Sequence, residues 1–132
     1  MNIQELSVGD WVRVISDNVS VKVIGLREVY CGCIEVVAVS DTTQYMLMEE
    51  HRERYRKFDP ITLTPEILEK NGWSKEYDDV WECGVWRIKQ INKCLFVLYN
   101  ENYDYDFCVY IDTVHKLQHA LRLAGVGKKI EL

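Results

Sequence analysis

Val19, Val21 and Val23 alternate with Ser20, Lys22 and Ile24. A period of two marks a β-strand with one buried face and argues against a helix over those residues. Other short strand-like stretches surround it. Gly9-Asp10 is a turn signal that feeds Trp11, Val12, Arg13, Val14 and Ile15, and Asp17-Asn18 punctuates before Val19. Polar residues 40–43 then separate the apolar stretches 31–39 and 44–48. Four or five short strands within residues 7–49, each bounded by turn residues, predict a curled antiparallel sheet or a small barrel.

The second half reads differently. Asp59-Pro60 opens it, Thr64 is an N-cap with Pro65 at the first helical position, and Asn71-Gly72 closes a helix of barely two turns. Strand-like text follows at 85–91, 94–99 and 107–111, with Asn92-Lys93 as the two-residue hairpin between the first two. Asp112 or Thr113 caps a last helix that runs through Ala124 and ends at Gly125. The expected fold class is α+β: an N-terminal small antiparallel β-barrel (1–50), a basic connector (51–58), and a C-terminal antiparallel sheet with one short and one longer helix (59–132). A single sheet running through both halves is the structural alternative.

Composition supports a folded chain. With 132 residues, 48% of them hydrophobic and 28% charged, the chain buries a core without a metal or disulfide staple. No apolar run is long enough to span a bilayer, so no membrane is expected. The start Met1-Asn2-Ile3-Gln4-Glu5 lacks the basic and apolar regions of a signal peptide. Five cysteines, an odd number in apolar text, read as reduced thiols packed in a core, which places the protein in the cytoplasm. The formal net charge of −5 opposes general binding to a polyanion. Locally the sign reverses: residues 51–58 hold four basic groups and one acidic group.

Four constellations carry possible chemistry. His115 and His119, at i and i+4 on the last helix, have the spacing of a metal pair. Lys116 stands where a metalloprotease helix needs its glutamate. Helical spacing centres the apolar stripe on Val114, Leu117 and Leu121 and turns both histidines to the far side, on the solvated face or touching another segment. A surface or packing role therefore outranks a metal. Cys31-Gly32-Cys33 puts two thiols on one strand face without further ligands at recognisable spacing. Arg52, Arg54, Tyr55, Arg56 and Lys57 interleave cations with a ring, the pattern that grips phosphates and stacks a base. Tyr103, Asp104, Tyr105 and Asp106 form an acidic loop with aromatic contact area, the chemistry of a protein-binding surface. Phosphate-loop, nucleophile-elbow and calcium-loop motifs are absent, no catalytic residue is assigned, and no cofactor is expected.

Two resemblances add to this. Ser7-Val8-Gly9-Asp10-Trp11-Val12-Arg13-Val14 is similar to the first strand of SH3-like barrels. The stretch 59–73, with Pro60-Ile61-Thr62-Leu63-Thr64-Pro65-Glu66-Ile67-Leu68, and the stretch 110–125, with Val114-His115-Lys116-Leu117-Gln118-His119-Ala120-Leu121-Arg122, together resemble a family of small proteins of Bacteroidetes and their phages or mobile elements. The similarity in spacing covers 58–132 and is strongest in these two blocks. That family carries no established activity, so the resemblance implies a bacterial or phage cytoplasm and transfers no catalytic residue. The expected function is a non-enzymatic interaction or adaptor module with a protein partner. The alternatives are a nucleic-acid accessory protein using 51–57 and a metal-dependent hydrolase on His115 and His119. Homo-oligomerisation through an apolar patch of Trp11, Trp73, Trp81 and Trp86 is also expected as an option.

Overall fold

The computed structural model describes residues 3–30, 33–48, 56–103 and 108–132. The chain divides into two compact units, residues 1–61 and 62–132. The architecture is α+β, with one five-stranded antiparallel sheet in each unit and both α-helices in the second.

The first unit holds β1 (Trp11–Val14), β2 (Val19–Tyr30), β3 (Cys33–Val39), β4 (Gln44–Leu47) and β5 (Phe58–Pro60). They lie in the order β4-β3-β2-β1-β5, a meander whose last strand returns to the first. The valine alternation sets the inside. Val12, Val14, Val21, Val23, Val36, Ala38 and Leu47 are buried together with Ile3 and Leu6 from the chain start. A bulge between Val23 and Gly25 places Ile24 outside the ladder, on the exposed side. The Gly9-Asp10 turn is sewn to β2. The Gly9 amide donates to Val23 O (2.7 Å), the Val23 amide donates to Asp10 O (2.8 Å), and the buried Asp10 carboxylate accepts from the Ser7 amide (2.8 Å). Gly9 has φ +97, a value that a side chain would strain.

Three expectations for this half change. Strand β2 continues past Leu26 to Tyr30, because Arg27 and Glu28 pair with Glu35 and Ile34 of β3. The stretch 51–58 is not a connector at its C-terminal end: the Arg56 amide donates to Met46 O (3.2 Å), and Lys57 O accepts from the Ile15 amide (3.1 Å). Phe58, Asp59 and Pro60 pair with Val14, Arg13 and Val12, which moves the junction between units to 61/62. Pro60 sits on an edge strand, where its missing N–H removes no ladder bond. An isolated parallel bridge, Leu47 to Arg56, joins the end of β4 to the residues leading into β5.

The second unit opens with α1 (Pro65–Lys70) and continues through β6 (Ser74–Tyr77), β7 (Val80–Cys83), β8 (Trp86–Asn92), β9 (Leu95–Asn100), β10 (Cys108–Ile111) and α2 (Val114–Leu123). The strands lie in sequence order, β10-β9-β8-β7-β6. Both helices end as the sequence predicts, and by the same device. After α1, Gly72 (φ +84) donates to Glu69 O and the next amide, Trp73, reaches back to Leu68 O. After α2, Gly125 (φ +74) donates to Arg122 O and Val126 reaches back to Leu121 O. These are paired Schellman closures with an apolar residue after each glycine. Thr64 accepts from the Ile67 amide (3.3 Å), the N-cap bond expected of it.

The hairpin β6–β7 is an addition to the three strands expected. It joins at Asp78-Asp79, and all four β6 residues are exposed, as suits a charged edge strand. The β8–β9 turn is Lys93-Cys94 rather than Asn92-Lys93. Asn92 still pairs with Leu95, and its side-chain oxygen accepts from the Cys94 amide (3.0 Å), closing an Asx turn. Trp73 and Trp81 are each only 2% exposed, so they leave the expected self-association patch, and Trp11 and Trp86 are half-buried. Asn71 ties down the C-terminal stretch at Glu131. The Asn71 side-chain amide donates to Glu131 O (2.7 Å) and its oxygen accepts from the Glu131 amide (2.7 Å), while Ile130 is buried.

Candidate functional site

The second sheet has two unlike faces. Residues paired across strands share a face, so the register sorts them. One row runs Lys75, Trp81, Ile88, Leu98, Val109, and beside it Phe96 pairs with Ile111. Trp81, Ile88, Leu98, Phe96 and Ile111 are buried. The helices complete this layer: Trp81 donates its indole N–H to Glu69 of α1 (3.3 Å), and Val114, Leu117 and Leu121 form the buried stripe of α2.

The opposite face carries a second register row: Tyr77 of β6, Val80 of β7, Lys89 of β8, Val97 of β9 and Tyr110 of β10. Tyr77 and Tyr110, on the two edge strands, are 67% and 64% exposed, and Lys89 between them is exposed. Val80 and Val97 fill the intervening positions at 8% and 7% exposure. Four interstrand spacings separate the tyrosine backbones, about 19 Å.

The neighbouring row on that face is ionic: Ser74, Glu82, Arg87, Tyr99 and Cys108. Arg87 is buried, and each of its nitrogens is engaged. Nε meets Glu76 (2.9 Å), Nη2 meets Glu82 (3.3 Å) and Glu101 (2.9 Å), and Nη1 donates to Gly84 O (2.7 Å) and Trp86 O (3.1 Å). One cation therefore gathers three carboxylates from β6, β7 and the 3-10 turn at 101–103. Burial pushes the Tyr99 phenol above its ordinary pKa, the Arg87 charge pulls it down, and the Glu76, Glu101 and Asp79 charges push it up. Three acids meet one arginine, and the Asp79 charge also acts on Tyr99, which leaves this part of the face negative.

The residues singled out from the sequence are distributed as follows. Arg52, Arg54 and Tyr55 lie outside the described residues, as do Asp104, Tyr105, Asp106, Cys31 and Gly32. Arg56 and Lys57 are exposed. Arg56 acts electrostatically on the Asp17–Tyr45 pair, in which the Tyr45 hydroxyl donates to Asp17 (2.8 Å). That bond lowers the Asp17 pKa and raises the Tyr45 pKa. Tyr103 ends the 3-10 turn that carries Glu101.

Of the two expected places for His115, the structure shows the packed one. It is 2% exposed, and its Nδ1 lies 3.2 Å from Thr113 Oγ1. The first turn of α2 follows directly on a bridge between Thr113 and Thr62 and on the Leu63 amide bond to Asp112 O (3.1 Å). The chain entering α1 thus runs beside the helix start, and burial there extends beyond the apolar stripe. His119 packs its ring edge-to-face on His115, centroids 5.8 Å apart. Among the described residues no group of three His, Cys, Asp or Glu side chains is placed to hold a metal ion. Among the described cysteines Cys33 and Cys83 are half-buried, and Cys94 and Cys108 are exposed rather than packed in a core, one in the β8–β9 turn and one at an edge strand.

The two rows of the open face escaped sequence reasoning because Tyr77 and Lys89 belong to no motif. No helix among the described residues is long and apolar enough to cross a membrane. Comparison with protein-family models, with curated proteins and with solved structures returns no match.

Proposed function

We propose that the protein is a non-enzymatic interaction module, a small adaptor or accessory protein of phage or mobile-element origin acting in a bacterial cytoplasm. The observation that carries this reading is the sheet of the second unit. Helices cover one face, and the other presents two tyrosines more than half exposed at opposite edges of one register row. Tyrosine offers large contact area at low entropic cost, and it is enriched where proteins meet. The polar clusters that could be mistaken for catalytic groups are engaged in holding structure: Arg87 with its carboxylates, Asp17 with Tyr45, and Asp10 with the Ser7 amide. The bacterial or phage context rests on the resemblance of 59–73 and 110–125.

The first unit is read as SH3-like. Its strand order, with β5 returning beside β1, and the Leu47–Arg56 bridge between the two ends of the sheet support that reading. The test is a pull-down of the tagged chain from host lysate, split into nuclease-treated and untreated halves. Protein partners retained after nuclease are expected. Partners lost with nuclease would transfer the function to nucleic acid, and none in either half would remove the module reading.

A further inference from the structure

We infer that the open face of the second unit docks a basic protein segment in extended conformation, laid across the five strands with alternating cationic and apolar side chains. The inference rests on the module reading and names its surface and its partner's chemistry.

Two adjacent rows on one face set the requirement. The tyrosine row, Tyr77-Val80-Lys89-Val97-Tyr110, offers aromatic contact at its two ends, about 19 Å apart, the reach of roughly six extended residues, with Val80 and Val97 buried between them. The ionic row beside it offers carboxylates. Glu82 and Glu101 have side chains 41% and 58% exposed, and each spends one oxygen on the same arginine nitrogen. Both side chains are about half exposed beside a guanidinium that three acids already outnumber. An extended chain points successive side chains to opposite sides. Laid along the boundary between the rows, it directs one set onto Tyr77 and Tyr110 and the other onto Glu82 and Glu101. Charge complementarity selects the sign: a cationic partner relieves the excess negative charge around Arg87, whereas a phosphate backbone meets it head on. Arginine fits best, since it pairs in bidentate fashion with carboxylates and also packs on tyrosine faces. Lys89 is the exposed cation in the middle of the row, and it opposes the partner's charge.

The experiment uses the full chain and a fluorescein-labelled hexapeptide of alternating arginine and valine, followed by anisotropy and by amide chemical shifts. The expected result is salt-sensitive binding with shifts confined to β6–β10. The Tyr77→Ala, Tyr110→Ala double variant should weaken it about ten-fold, and Glu82→Gln with Glu101→Gln should weaken it and flatten its salt dependence. Lys89→Glu should strengthen it several-fold, a gain that misfolding cannot produce. Unchanged urea midpoints confirm that the tyrosine variants remain folded. The inference is overturned if the peptide binds the tyrosine variant equally or fails to bind. It also falls if the shifts map to the first unit, or if a glutamate–valine hexapeptide or a twelve-nucleotide oligo-dT binds this face instead. Should the tyrosine variant still capture the wild-type chain's lysate partner, this surface falls while the module reading stands. Should neither chain capture a partner, the module reading falls first.

Discussion

Arg87 is the residue on which the second unit's ionic row depends. Its guanidinium is nearly sequestered, and it holds Glu76, Glu82 and Glu101 at 2.9 to 3.3 Å. Removing one partner of a buried charge network costs more than the network contributes relative to an apolar substitute, because the remaining charges are left uncompensated. The carboxylates left behind are 29 to 58% exposed, so water takes over part of the pairing, and Arg87→Met is expected to destabilise the chain by about 1–2 kcal/mol in urea titrations. It should also raise the Tyr99 pKa further, since the cation that lowers it is gone; ring-proton shifts against pH measure this. The Asp17–Tyr45 bond behaves as a pair with opposite signs. Asp17 is depressed, so its contribution is present above the ordinary aspartate range and is lost as pH falls through its lowered pKa. Tyr45 is raised, so its contribution is present below the ordinary tyrosine range and is lost as pH climbs through the raised value. Tyr45→Phe should return the Asp17 pKa upward, toward that of a free aspartate, in a carbonyl-carbon NMR titration. An unmoved Asp17 would show that the hydroxyl bond is not what holds it.

Each helix of the second unit is bounded by its own sequence. Gly72 and Gly125 take left-handed values of φ, which cost an L-residue about 1 kcal/mol. Gly72→Ala and Gly125→Ala should each lower stability by about that amount. At Gly72 a new Cβ would meet only the Lys128 ammonium, 2.9 Å away on a flexible side chain, so the strain belongs to the backbone. Thr64→Ala removes the bond to the Ile67 amide and should cost about 1 kcal/mol. Thr113 is different: it begins α2 without a side-chain cap bond, and its hydroxyl faces His115 instead. Asn71 performs two tasks at once, ending α1 and pairing with the backbone of Glu131 as a neighbouring strand would. Asn71→Ala should accelerate hydrogen exchange at the Glu131 amide while leaving the β8–β9 amides protected. Uniform acceleration would mean that the tail is not held locally.

At the scale of the whole chain, each unit contains its own sheet and its own buried cluster. A domain of this size buries only about 60% of the surface that its unfolded chain exposes, which makes each unit marginal by itself. Fragments 1–61 and 62–132 are each expected to give dispersed amide spectra and a cooperative urea transition. A fragment that remains unfolded would show that its core needs the rest of the chain. The charge pattern also belongs to this scale: within an overall −5, the basic stretch at 51–57 is a local reversal of sign rather than a difference between the units.

Local chemistry alone determined the α+β class, the inside of β2 and the ends of both helices. Alternating valines, a Thr-Pro start and Gly stops are interactions among near neighbours in the chain, so they can be read in order. Pairing partners decided the rest. Ser74, Lys75, Glu76 and Tyr77 have no apolar alternation because they form an edge strand, and Lys75 places its ammonium 5.7 Å from the Trp81 ring on the face where an aliphatic residue would be sought. His115 lies off the apolar stripe of α2, yet it is buried because the chain entering α1 crosses the helix start. Tyr77, Lys89 and Tyr110 become one row only through the register of five strands, and Arg87 meets Glu76 and Glu101 for the same reason. Register is set by the sum of many long-range contacts, so the face on which these side chains converge exists only once the sheet has formed.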